Sequence, residues 1–444
     1  MGEHRTLLAR LFRVAVDAVA PEDLVARHLR LSGSRLVISD ATGAEAGQAT
    51  LPLVVLGAGK AAARMAKGCE AVAGSGVEGL VVVADGCEVP LERIECVSAG
   101  HPIPDRRGAG ATEDLLRRAA RVPAGATILT LISGGASSLL VKPAPPVTLP
   151  DQIAVTALLL ACGAAIEEVN AVRKHLSLVK GGGLLRHCGC RVISLLLSDV
   201  IGDDPAVIGS GPAVPDPTTF ADADAVLARY GLADRVPASV RARLDAGVRG
   251  EVPETLKPAD PRAGQAINLV IGSNGIALGA AVEAASRAGW VIVRELEPIA
   301  GDTRSAARLF AANLRRAMEA AQRVGRRRCL LAGGETTVRV TGPGKGGRNQ
   351  EFALALAAEI AGMPITVLSA GSDGIDGPTD VAGAFVDGTT LDRCRERGLD
   401  PDVFLARNDS YGFFASLGDH FRPGPTGTNV MDFKLALLEP AGMS

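Results

Sequence analysis

The stretch Leu53-Val54-Val55-Leu56-Gly57-Ala58-Gly59-Lys60 runs from aliphatic residues straight into small ones and a lysine, and a helix-like pattern follows it. The same plan recurs in LVVVADG (80–86), ILTLISGGASS (128–138) and VISLLLSD (192–199), and then in INLVIGSNG (267–275), CLLAGGETT (329–337) and ITVLSAGSDG (365–374). Continuous apolar runs of this length, alternating with helical patterns, predict parallel strands covered on both faces. The fold class is therefore α/β. Ligands in such sheets sit beyond the carboxyl ends of the strands, where these Gly, Ser, Asp and Lys residues cluster.

Composition narrows the function classes. The chain has 444 residues, 47% hydrophobic but 3% aromatic, so its cores are built from Ala, Val and Leu. A formal net charge of -2 supplies no basic field for nucleic acid or an acidic membrane face. No apolar run reaches the ~18 residues of a spanning helix, so a cytoplasmic protein without membrane or nucleic-acid partners is expected. The eight cysteines read as reduced thiols. His187-Cys188-Gly189-Cys190 lacks a second Cys/His pair that would complete a zinc site.

Residues 231–266 lose the strand pattern and collect Pro237, Pro253, Pro258 and Pro261. That suggests a junction between a first domain at 1–250 and a second at 251–444, with the final run VMDFKLALLE assigned to the second. ISGGASSLLV (132–141) and LAGGETTVRV (331–340) share a pattern that would suit an internal duplication.

Three lysines sit next to glycine-rich runs: Lys60 in LGAGKAA, Lys180 in LVKGGG and Lys345 in GPGKGG. A cation on a bare turn can approach a phosphate closely. Arg348-Asn349-Gln350-Glu351 reads as a helix start whose N–H groups, with Lys345 and Arg348 beside them, face something anionic. Gly57-Ala58-Gly59-Lys60-Ala61-Ala62 also satisfies the dinucleotide fingerprint, with Asp85 as a candidate ribose ligand. A plain structural turn and a lysine offered to an anion are the other readings of that segment. The phosphate-binding pattern G-x-x-x-x-G-K-[ST] is absent from the sequence.

Ser133-Gly134-Gly135-Ala136-Ser137-Ser138 would suit a phosphate or carboxylate, or simply close packing. Asp199 ends an apolar strand with a carboxylate, which is costly to bury without a partner or a task. The loop at 203–218 reads as a lid or wall over that strand end. The 170–180 segment, with Arg173, Lys174 and Lys180, is either a solvated helix face or a cationic wall. Gly371 to Gly377 could hold Mg²⁺ through the carboxylates of Asp373 and Asp376 and water. His101 reads as a turn histidine, with general-base work a long shot.

Together the segments GAGKAA, GHPIPD, LISGGASSLL, NAVRKHLSLVKGG, LSDVIGDDPAVIGSGPAVPD, GGRNQEFALALA, SAGSDGIDGPTD, NDSYGFF and TGTNVMDF, in that order, resemble the glycerate 2-kinase family. Some of its members carry the older name hydroxypyruvate reductase. The resemblance implies a Rossmann-like sheet, a smaller second α/β domain of the MOFRL type, and an active site in the cleft between them. It also implies conversion of D-glycerate to 2-phosphoglycerate with ATP and Mg²⁺. It carries the family's essential lysine to Lys60, its strand-end aspartate to Asp199 and its helix-start arginine to Arg348. Ser133, Gly134, Gly135, Ser137, Arg173, Lys180, Glu335, Asn349 and Asp373 follow as nucleotide or substrate contacts. Whether Asp199 is base or metal ligand stays open, as do the metal ligands and the assembly state, a homodimer included. The rival readings are an NAD(P)H-dependent hydroxypyruvate reductase and a non-catalytic sensor of sugar acids or nucleotides.

Overall fold

Each apolar run forms a strand. The computed structural model describes residues 2–440, and the chain divides into two units, Pro21–Gly272 and Met1–Ala20 with Ser273–Ser444. In the first unit β1 (Leu53–Ala58), β2 (Val77–Ala84), β3 (Ile94–Ala99), β4 (Thr127–Ile132), β5 (Arg191–Leu197) and β6 (Ala266–Gly272) make one sheet in the order β3-β2-β1-β4-β5-β6. Every pairing in it is parallel. The order reverses between β1 and β4, which opens a crevice at their carboxyl ends. Leu56, Leu80, Ile128 and Val192 of the sheet pack in one core with Leu115 and Leu116 of the helix Arg106–Arg121.

A satellite core lies among four helices, Leu149–Ala161, Ile166–His175, Phe220–Arg229 and Ala238–Val248, around Leu159, Val172, Phe220 and Leu244. The 203–218 loop is a fixed wall. Gly181 and Gly182 donate to the carbonyls of Ser210 and Gly211 at 3.0 and 2.8 Å, and Asp216 donates to Leu256 O at 2.7 Å. A three-stranded antiparallel meander, Leu29–Ser32, Arg35–Ser39 and Glu45–Thr50, completes the unit.

The second unit departs from the all-parallel expectation. Its strands are β7 (Val291–Arg294), β8 (Ile299–Asp302), β9 (Arg328–Thr337), β10 (Ile365–Gly371), β11 (Gly383–Asp387), β12 (His420–Phe421) and β13 (Asp432–Leu438). They pair in the order β7-β9-β13-β10-β11-β12, with β8 also on β9. The last strand inserts at the centre, antiparallel to both neighbours. A strand buried on both faces is an apolar run whichever way its neighbours point, so direction was not encoded locally.

The duplication does not hold either. Gly134-Gly135 turns the chain into the short helix Ala136–Leu139, whereas Gly333-Gly334 lies inside β9. The division of the chain also differs from a single boundary at 250. β6 joins the first sheet, and the N-terminal helix Gly2–Ala18 belongs with the later residues. That helix buries Leu8, Leu11 and Phe12, and Phe12 meets Phe421 and Phe433 edge-on at 4.9 and 5.8 Å. Arg5 bridges Asp387 and Asp419 at 2.8 and 2.5 Å. Among the described residues no helix is long and apolar enough to cross a membrane.

Candidate active site

In the first unit the two strand ends flanking the order reversal are laced together. Gly59 donates to Val82 O at 3.1 Å, Lys60 N–H to Gly134 O at 2.8 Å and Ser133 N–H to Ala58 O at 3.0 Å. Ser133 Oγ accepts from Ala61 N–H at 3.0 Å. The Lys60 side chain, exposed, starts from this rigid turn just ahead of the helix Ala62–Ala73.

Asp199, at the end of β5, lies flat against Gly134. A Cβ on that glycine would fall 2.0 Å from Asp199 Oδ2, so any side chain there would expel the carboxylate. Gly135 sits at φ +85°, and a Cβ on it would meet His101 Nε2 at 2.9 Å and Lys60 Cγ at 3.4 Å. Lys60, His101 and Asp199 thus gather around one Gly-Gly turn. Burial pushes the Asp199 carboxyl above its ordinary range, and the opposing charge of Lys60 offsets this in part. Burial, with Lys60's charge adding, holds His101 below its usual value, so the imidazole is neutral at pH 7. The proximity of His101 to the other two was invisible in sequence, because the turn at 100–105 reaches them only through β3.

Arg173 and Lys180 are placed differently from open cationic arms. Lys180, 2% exposed, donates to the carbonyls of Ser137 and Leu140 at 2.5 and 2.9 Å, and Arg173 Nη2 donates to Ser137 O at 3.1 Å. Burial first, and Arg173's charge second, drive the Lys180 amine well below its ordinary value. Ser137 Oγ pairs with Ser210 Oγ, which donates in turn to Asn170 Oδ1 at 3.0 Å. Two basic side chains and a hydroxyl chain therefore hold the 133–140 turn in place.

The dinucleotide fingerprint meets a related obstacle. The N–H groups of Gly59, Lys60 and Ala61, which would receive a pyrophosphate, already have protein acceptors. Asp85, the candidate ribose ligand, takes a forked pair of bonds from Arg107 at 2.7 and 2.8 Å.

In the second unit the helix Arg348–Glu359 starts where expected, but the anion at its N-terminus is the protein's own. Asp376 accepts from Asn349 N–H, Gln350 N–H and Gln350 Nε2, each at 2.9 Å. A Cβ on Gly347 would lie 2.3 Å from Asp376 Cγ, so this glycine admits the capping carboxylate. Burial pushes Asp376 up despite these donors. Lys345 is exposed, with its ammonium 4.5 Å from the Tyr411 ring centroid.

Arg348 directs Nε and Nη2 to Asp432 at 2.8 and 2.9 Å and Nη1 to Glu335 at 2.8 Å. Asp432 is fully buried; behind it Lys434, 1% exposed, has its ammonium 3.5 Å from Asp432 Oδ2 and 4.9 Å from the Phe352 ring centroid. Lys434 also donates to Asn349 Oδ1, which accepts from Ser369 Oγ at 3.0 Å. Burial would raise the Asp432 carboxyl, but Lys434 and Arg348 hold it below its ordinary range. Burial works against the Arg348 charge; the bonds and charges of Asp432, then Glu335, outweigh it and raise its pKa.

Asp432 and Lys434 escaped the sequence reading. The signal was present: in D-F-K the first and third residues of a strand share a face, so opposite charges two apart in an apolar run form a ready buried pair. Asp373 accepts from Ile375 N–H at 3.0 Å and Asp376 caps the helix Arg348–Glu359, so both carboxylates of the 371–377 segment have protein donors. Among the described residues no group of three or more His, Cys, Asp or Glu side chains could hold a metal alone. A nucleotide-borne Mg²⁺ would need just one or two protein carboxylates, the remaining ligands being phosphate oxygens and water.

Residues 7–245 match the family described as domain of unknown function DUF4147, and residues 328–432 match the MOFRL family. The glycerate 2-kinase of Pyrococcus horikoshii is 36% identical over 435 residues, 98% of this chain and 97% of that protein. A putative hydroxypyruvate reductase of Agrobacterium vitis is 42% identical over 392 residues, 87% of each chain. The crystal structure of glycerate kinase from Thermotoga maritima, 34% identical, superposes with a TM-score of 0.85 over 99% of this chain and 100% of its own.

Proposed function

Because this chain belongs to the glycerate 2-kinase family, we propose that it transfers the γ-phosphoryl of ATP to the C2 hydroxyl of D-glycerate, giving 2-phosphoglycerate. The observation that carries the reading is the gathering of Lys60 and Asp199 at Gly134-Gly135, at the order reversal of the parallel sheet. Phosphoryl transfer asks for positioning and charge neutralisation more than for covalent catalysis. Lys60 is the cation for the transferring oxygens. Asp199, its basicity raised by burial, takes the hydroxyl proton. Neutral His101 is placed to donate or accept a hydrogen bond beside them. Arg348 is assigned charge neutralisation of a substrate oxyanion. Mg²⁺ bound with the nucleotide would neutralise phosphate oxygens and would be held chiefly by them and by water, which leaves Asp199 to the proton.

The test is ADP release by purified protein supplied with D-glycerate and Mg·ATP, with ³¹P NMR locating the phosphate. Absence of ADP release above background hydrolysis, or a C3 phosphate, would sink the proposal. The reductase reading retains one support, a fingerprint at the order reversal, and predicts NADH consumption with hydroxypyruvate. The committed N–H groups and the Arg107-bound Asp85 weigh against it.

A further inference from the structure

Arg348 has two edges of very different character. The edge formed by Nε and Nη2 is engaged by Asp432, a carboxylate with no exposure, in a forked pair. On the other edge Nη1 lies 2.8 Å from Glu335 Oε1, and the Glu335 side chain is 42% exposed. A forked bond to a buried carboxylate is strong and specific in direction, while an ion pair with a half-exposed carboxylate is weak and exchangeable. Register explains how both carboxylates arrive: Gly334 on β9 faces Asp432 on β13, so Glu335 is the next residue along the neighbouring strand.

Asp432 is itself held. Lys434 stands two residues along on the same face of β13, with its ammonium against Asp432 and Asn349 and over Phe352. Counting Asp376 at the helix start, the cluster contains two cations and three carboxylates, and Glu335 is the one with the most solvent. Asp432, Asp376 and Lys434 are each 1% exposed or less.

We infer that Asp432, backed by Lys434, is the positioning residue that aims Arg348, and that Glu335 is a resident counterion which an incoming substrate oxyanion replaces. The inference rests on the kinase reading for the name of that oxyanion, a phosphate of ATP or the carboxylate of glycerate. It reassigns Glu335 from a nucleotide contact to the group the ligand must displace. With Glu335 neutralised, the guanidinium edge keeps its direction and loses its competitor.

Calorimetric binding of Mg·ATP and of D-glycerate, separately, to wild type and Glu335→Gln decides the matter. The variant should bind one of the two about two- to fivefold more tightly, the worth of a partly exposed ion pair. Which ligand gains identifies the oxyanion. Unchanged or weaker binding of both would overturn the inference. ¹⁵N NMR of the Arg348 Nε–H, assigned by its loss in Arg348→Lys, supplies the second readout. Its protection from exchange should persist in Glu335→Gln and disappear in Asp432→Asn; protection that survives in folded Asp432→Asn would remove Asp432 as the aiming group. If that variant does not fold, the Glu335→Gln binding result alone stands for or against the proposal. None of these readouts requires turnover, so a failed kinase assay and a failed counterion are distinguishable.

Discussion

The Gly134-Gly135 turn of the first unit and the helix start at Arg348 in the second gather charge in opposite ways. In the first, Lys60 is exposed and Asp199 is pressed against bare glycine backbone, so the two charges are positioned by main chain. In the second, Arg348, Asp432, Lys434, Asn349 and Asp376 position one another through side chains, nearly all of them buried. A backbone-built site can lose a side chain and keep its fold. A side-chain-built site couples chemistry to stability, because removing one member of a buried charge pair strands the other.

The sharpest break of this contrast is Lys60→Met. Turnover should fall by about 10² to 10⁴, the range for removing a preorganised cation from phosphoryl transfer, while the thermal midpoint stays put. Near-normal turnover would take Lys60 out of the mechanism. Lys434→Met should do the reverse in kind, costing about 3–5 kcal/mol of unfolding free energy because Asp432 loses a buried partner. Urea titration reads it, and a loss under about 1 kcal/mol would mean that Arg348 alone suffices for Asp432.

Gly134→Ala sharpens the backbone side of the comparison. Its Cβ would fall 2.0 Å from Asp199 Oδ2, so the carboxylate must shift, and kcat should drop about 10²-fold, the cost of an ångström-scale misplacement. Stopped-assay kinetics with an unshifted substrate KM would fit that displacement.

The smallest effect is in pH. Asp199 must be ionised to accept a proton, and burial raises its pKa, so activity falls with acidification through a value above the ordinary carboxylate figure of about 4. Lys60 pulls that value down, so the residual activity of Lys60→Met should show its acid limb moved to higher pH. An acid limb that stays in place between wild type and variant would separate the two groups.

Much of the first region was legible because its determinants are local. Apolar runs gave the strands, and the small residues ending them marked the carboxyl edge where Lys60, Ser133, Gly134 and Asp199 stand. Family resemblance then pointed to Lys60, Asp199 and Arg348, the residues on which the proposed mechanism rests. His101 read as a turn histidine because a turn after β3 carries no sign of what it faces. The helix start at Arg348 was read correctly as a helix and wrongly as an open anion site, since the carboxylate that fills it, Asp376, comes from 27 residues downstream. Lys180, read from its glycine neighbours as a nucleotide or substrate contact, has its amine on two backbone carbonyls.

The sequence by itself determined the strand and helix content, the parallel first sheet, the family and the identity of the chemical groups, because hydrophobic period and turn chemistry act within a few residues. Tertiary structure decided that β13 enters the middle of the second sheet antiparallel to its neighbours, that the N-terminal helix belongs with the later residues, and which carboxylate faces which cation. Those outcomes depend on long-range pairing and on desolvation. A charge is compensated by whichever opposite charge the fold brings within reach of it, however far away in the chain.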